Sequence, residues 1–167
     1  MKTKLLMIAF LAFSVLSCKQ NKTEIGLKYH DSIVEIQTEA LDAFEDVLDA
    51  ATSDLEILIL KHKHALKTTE NSILLTNQLA TIENGENLKQ KSLEILQGMN
   101  KILSEDITKI IEIREELNKN YNDKMVDDLN DIILKSHNQI DLLIINFNNA
   151  QYEFSNHYNF ELLEDNE

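Results

Sequence analysis

Histidines and carboxylates are the side chains of this 167-residue chain that could hold a metal or move a proton, so their spacing decides which chemistry is open. A di-iron bundle site needs Glu-x-x-His on each of two helices, so that both side chains project inward together. The residues three before His30, His62, His64, His137 and His157 are Leu27, Ile59, Lys61, Leu134 and Phe154, none of them acidic. On a helix, His62 and His64 point about 160° apart and cannot chelate one metal; one is expected at the core edge and the other at the surface. The chain has no Cys-x-x-Cys-His, no glycine-rich phosphate loop, and no nucleophile on a sharp glycine-rich turn. The expectation is a non-enzymatic protein with no catalytic residues, no metal ligands and no cofactor.

Acidic side chains do form a pattern. Asp31, Glu35, Glu39, Asp42, Asp46 and Asp49 follow one another at spacings of four, four, three, four and three, which puts all six on one stripe of a helix. No lysine or arginine occurs from Tyr29 to Leu60. Like charges at these spacings destabilise a helix, and a basic partner would remove that cost. The stripe lies nearly opposite Ile33, Ala40, Phe44 and Ala51, so the plain reading is a solvated outer face and the functional one a docking face for a positively charged partner. Divalent or organic cations are the alternative ligand. They fit less well, because no loop supplies the six or more oxygens that calcium prefers.

The start of the chain carries an address. Met1-Lys2-Thr3-Lys4 and the unbroken apolar run Leu5 to Phe13 are a charged n-region and an h-region of secretory length. The run reaches Leu16 with only Ser14 interrupting, about a dozen residues where a bilayer-crossing helix needs about 20. It ends in Val15-Leu16-Ser17-Cys18, which resembles the lipobox cleaved by signal peptidase II before a diacylglyceryl-modified cysteine. The resemblance implies two or three acyl chains on Cys18, and at about 0.8 kcal/mol per buried methylene these would hold the protein on a membrane. Cys18 is the sole cysteine, so no intrachain disulfide or cysteine metal site is possible. Lys19-Gln20-Asn21-Lys22 resembles neither an inner-membrane retention signal nor an acidic surface-export signal. The expected address is the outer membrane facing the periplasm, with the cell surface second.

Three segments follow from this reading: residues 1–17 as signal peptide, 18–28 as an aperiodic lipidated tether, and 29–167 as one domain. Loss of residues 1–17 leaves 150 residues, and loss of Lys2 and Lys4 takes the formal charge from −13 to −15. Such a chain repels nucleic acid and anionic headgroups, so its membrane partner must be reached through acyl chains.

The chain after Cys18 should be helical, since it has no proline and only Gly26, Gly85 and Gly98. The first helix is expected from about Tyr29 to Ala51, with Ile33, Gln37, Ala40, Phe44, Val47, Leu48 and Ala51 inward. Ser53-Asp54-Leu55-Glu56 reads as a capping box opening the second helix. That helix should turn Leu55, Leu58, Ile59, His62, Leu66, Ile73 and Leu79 inward, diluted by Thr69 and Thr76, and stop at a left-handed cap at Asn84-Gly85. Asn87 and Gln90 repeat the capping logic for a third helix with Leu96, Met99, Leu103, Ile110, Ile113 and Leu117 inward. A turn over Asn118 to Asp123 precedes the last helix. Its heptads place Val126, Ile133, Ile140, Phe147 and Phe154 in one position, with Leu129, Ser136, Leu143, Ala150 and His157 in its partner. The expected fold is an all-α, antiparallel up-down-up-down four-helix bundle, which would bring Tyr29, His30, His157 and Tyr158 to one, membrane-proximal, end.

Five of the eight aromatic residues after Cys18 lie between Phe147 and Phe160. Phe147-x-x-Ala150-Gln151-x-x-Phe154, leading to Tyr158-Asn159-Phe160-Glu161-Leu162, resembles the C-terminal signature of an uncharacterised helical surface-lipoprotein family of flavobacteria and spirochaetes. The resemblance implies that family's fold and address and no activity. The expected function is a membrane-anchored, non-enzymatic protein-interaction or envelope-assembly module, with immunity and inhibitor proteins in the same class. The alternative is a sensor or binding protein for divalent or organic cations, using the acidic face of the first helix.

Overall fold

A computed structural model describes the backbone of residues 2–162 and the side chains of residues 21–162. It is all-helical and its helices pack together around one core: α1 (Lys2–Ala50), α2 (Leu55–Gln78), α3 (Glu86–Ile102), α4 (Thr108–Leu117) and α5 (Asp123–Tyr158). A single π-helical turn, Leu103–Ile107, joins α3 to α4 so that the two form one long helical arm. The most extensive packing is of α1 on α2 and of α3 on α5, and α1 meets α5 more sparingly. Among the described residues no helix is long and apolar enough to cross a membrane.

The inward faces of α1 and α5 follow their three-and-four spacing. Ile33, Gln37, Ala40, Phe44, Val47, Leu48 and Ala51 are all buried, and so are Leu129, Ser136, Ile140, Phe147, Ala150 and Phe154. On α2 the expected face holds at Leu58, Thr69 and Thr76 and is rotated elsewhere. Ile59 is exposed and His62 half-buried, whereas Leu58, Ala65, Thr69, Ser72 and Thr76 are buried. That set repeats at seven, four, three and four, about 60° round from the leucine-rich face at 100° per residue. Small side chains let α2 lie close to its neighbours, while Leu55, Leu66 and Ile73 close the margin from partly buried positions.

The helix ends also differ from expectation. Asp54, not Ser53, caps α2: its Oδ1 accepts from Glu56 N at 2.8 Å, while the Ser53 hydroxyl turns back to Asp49 O. An aspartate one residue nearer the helix reaches the free N–H groups of the first turn better than the serine behind it. Helix α2 stops at Gln78, before Asn84, and the left-handed residue is Asn84 (φ 55°) with Gly85 right-handed. Gly85 instead serves as N-cap of α3 without a side-chain bond, and Asn87 reaches across to Glu153 at 3.2 Å. The turn at Asn118 ends as expected at α5, whose N-cap Asn122 accepts from Lys124 N.

The segment expected to be a tether departs most from the sequence reading. Residues 21–28 continue α1, and Gly26 is buried against Tyr158 while the Thr23 hydroxyl donates to Tyr158 O at 2.8 Å. Lys19 and Gln20 lie outside the described side chains. Only a residue without a Cβ allows this approach, so a glycine that reads as a breaker is a packing device inside the helix.

Candidate functional site

The aromatic residues build one end of the structure from three elements. The Phe154 ring lies 5.7 Å from Tyr29, 4.7 Å from Tyr158 and 6.1 Å from Phe160, centroid to centroid. His30 stands edge-on to Phe160 at 5.3 Å, and His157 edge-on to Tyr158 at 5.0 Å. Tyr29, His30, His157 and Tyr158 thus do share one end. Both phenols are anchored on the α2–α3 connection, Tyr29 to Gly85 O at 3.3 Å and Tyr158 to Glu83 O at 2.7 Å. Burial pushes the Tyr29 and Tyr158 phenols above their ordinary range, with Glu86 and Glu83 adding to it respectively.

Of the remaining histidines, His62 has a structural contact. The π turn disturbs the regular ladder at Leu103, whose carbonyl accepts from His62 Nε2 at 2.7 Å, which fixes that imidazole as an Nε2–H donor. His64 and His137 are exposed, and Asn84 Nδ2 meets His157 Nε2 at 2.9 Å. Among the described residues no three histidines, cysteines, aspartates or glutamates converge as metal ligands. The side chain of Cys18 lies outside the described residues.

All six stripe carboxylates, Asp31, Glu35, Glu39, Asp42, Asp46 and Asp49, are exposed along α1. Lys61 of α2 reaches Asp46 at 2.6 Å, and His30 Nδ1 sits 3.2 Å from Asp31 Oδ1. Among the described residues Glu35, Glu39, Asp42 and Asp49 make no ion pair.

Beside the stripe, the sparing contact between α1 and α5 leaves a groove of about 640 Å³. Its apolar lining is Val34 and Leu41 from α1 with Ile144 and Phe147 from α5. His30, Gln37, Thr38, Asn148, Gln151 and Glu161 also line it, while His30 Nε2 and Gln37 Oε1 themselves are buried and, among the described residues, unbonded. Gln37 is only 5 % exposed. A buried polar atom without a hydrogen bond costs about 1–3 kcal/mol. The sequence held one trace of such an atom. Gln37 is a polar residue in an otherwise apolar inward stripe, and its periodicity alone makes it core. No protein-family model, no curated protein and no solved structure matches this chain.

Proposed function

We propose that this protein is an envelope lipoprotein, held to the outer membrane through acyl chains on Cys18 and facing the periplasm, whose domain is a non-enzymatic protein-interaction or assembly module. The carrying observation is the α1 stripe: six exposed carboxylates, four of them without an ion pair among the described residues, on a helix that leads directly from the lipobox. In a chain of net charge −13 that face attracts a basic partner and repels acidic ones.

The same proposal includes an antiparallel up-down-up-down order. Three pairings support it: Thr23 with Tyr158 and Tyr29 with Phe154 between α1 and α5, and Arg114 of α4 with the carbonyls of Ala51 and Ser53. The Tyr29–Tyr158 end would then be the one next to the membrane.

Crosslinking and affinity capture from intact cells, at low salt, tests the reading with the native chain beside a variant carrying Glu35→Gln, Asp42→Asn, Asp46→Asn and Asp49→Asn. Loss of a discrete basic partner in the variant is expected. Equal capture by both would reduce the stripe to a wetted surface. Cys18→Ser should in parallel abolish membrane attachment, and its normal fractionation with the outer membrane would remove the lipid anchor.

A further inference from the structure

Among the described residues, nothing covers the outward face of α5. Leu134, Leu142, Ile145 and Tyr152 are 55 to 65 % exposed there, and with exposed Asn138 and Asn149 they form one stripe at spacings of four, four, three, four and three. Single exposed apolar residues are ordinary, but four in line on one helix mark an interaction surface. The stripe itself carries no charge. Its order is apolar, amide, apolar, then apolar, amide, apolar, so it reads the same in both directions. A stripe of that kind can pack on itself about a two-fold axis.

We propose that this face pairs with the same face of a second copy of the chain, helix against helix and antiparallel, about a centre level with Leu143. Leu134 then stands level with Tyr152 of the other copy, Asn138 with Asn149, and Leu142 with Ile145, each pair occurring twice. The Leu134 to Leu142 half of the stripe encloses a shallow depression of about 350 Å³, in which the Tyr152 ring of the other copy would lie. Amide against amide holds the register, because a slip of one turn sets each asparagine against an apolar side chain. Charge fits the same register. Lys135 and Glu153 are about five turns apart and so share one edge of α5, and in a two-fold antiparallel pair like edges meet. Lys135 comes level with Glu153 of the other copy to within about 2 Å along the axis. Asp131 falls level with the Asn156 amide, and on the opposite edge Asp141 lies near that of Asn148. All these side chains are exposed, with Lys135 at 3.4 Å from Asp106 and Glu153 accepting from Asn87 at 3.2 Å. A parallel pair would instead set Asp131 beside its own copy and Lys135 beside Asn130. The antiparallel pair puts the two Tyr29–Tyr158 ends at opposite ends of the dimer, so copies anchored through Cys18 would meet from two facing bilayers. The pairing itself rests on neither that anchor nor the acidic stripe.

Sedimentation of the purified full chain in mild detergent tests the pairing, with Cys18→Ser removing its one native thiol and any lipid. A concentration-dependent dimer is expected with a dissociation constant on the order of 10 μM, since one helix pair is a small interface. Ile145→Lys, at an exposed position, should weaken it at least about tenfold. Lys135→Glu and Glu153→Lys should each weaken it, and an equimolar mixture of those two chains should dimerise again. For direction, Leu134→Cys and Tyr152→Cys chains should form a disulfide when mixed and none alone, because the two copies of residue 134 stand about 28 Å apart along the axis. Crosslinking of Leu134→Cys with itself would establish a parallel pair and overturn the proposal. So would a dimer that Ile145→Lys leaves intact, or a chain that stays monomeric at millimolar concentration, which would leave the face to a different protein.

Discussion

Gly26 and Tyr158 meet so closely that a Cβ on residue 26 would stand 2.2 Å from the Tyr158 Cγ. The ring cannot easily retreat, because its hydroxyl donates to Glu83 O and its other side lies against Phe154. Gly26→Ala should therefore lower stability by about 1–3 kcal/mol through overpacking, although alanine is the better helix former by about 1 kcal/mol. In a Tyr158→Ala background the same change should become neutral or stabilising. Urea unfolding of the four chains closes the cycle, and equal effects in both backgrounds would show that the contact is not what restricts residue 26.

Arg114 is the only arginine in the chain, and its guanidinium donates to the carbonyls of Ala51 and Ser53 where α1 hands over to α2. A planar fork can serve two carbonyls at once, and a cation also suits the negative end of a helix. Arg114→Ala should cost about 1–2 kcal/mol, and Arg114→Lys should recover only part of that, since one ammonium lacks the fork. Full recovery by lysine in denaturant unfolding would reduce the role to charge.

Thr69, Ser72 and Thr76 are fully buried on α2, and their hydroxyls find no partner among the described residues. Replacing an unbonded hydroxyl by a methyl of the same shape removes a desolvation cost, so Thr69→Val and Thr76→Val should each raise stability by about 1 kcal/mol. A loss of stability in thermal unfolding would mean that these hydroxyls bond to water in solution.

Tyr29 and Tyr158 hold their protons more tightly in the fold than in the open chain, both chiefly through burial. Their contribution is complete below pH 10, the ordinary phenol value, and is lost as pH rises through the higher folded values. Stability should fall on the alkaline side of pH 10, with phenolate absorbance from these rings growing as helical ellipticity drops. Tyr29→Phe should shift that loss to higher pH. Unchanged stability well above pH 10 would show both phenols ionising freely.

The inward faces of α1 from Tyr29 onward and of α5 were legible in the sequence, because each carries enough large apolar residues for spacing alone to fix them. On α2 the same rule fails, since leucines and isoleucines outnumber the small residues that pack innermost. Close helix approach rewards Ala65, Ser72 and Thr76 for their size, which hydropathy does not register. The π turn at Leu103 was hidden because the apolar pattern runs through it. Its one visible sign was His62, a donor on a face that offers no polar partner until a carbonyl is freed. The acidic stripe was readable in full, being a matter of position along one helix. The groove was not, because it depends on how far α1 stands from α5, and that distance is set by side chains on every helix.

The unbroken passage of α1 through residues 21–28 gives the protein a mast in place of a leash. The eleven residues 18–28 as flexible chain would let the domain wander by about 18 Å, whereas the same residues as helix fix the separation near 16 Å. If Cys18 carries the proposed acyl chains, altitude above the headgroups becomes a constant of the molecule, and Asp31 to Asp49 occupy one band of heights. A membrane-bound partner could engage that band only if its own basic face stood at the same elevation, so discrimination would arise from vertical register before any side chain touched.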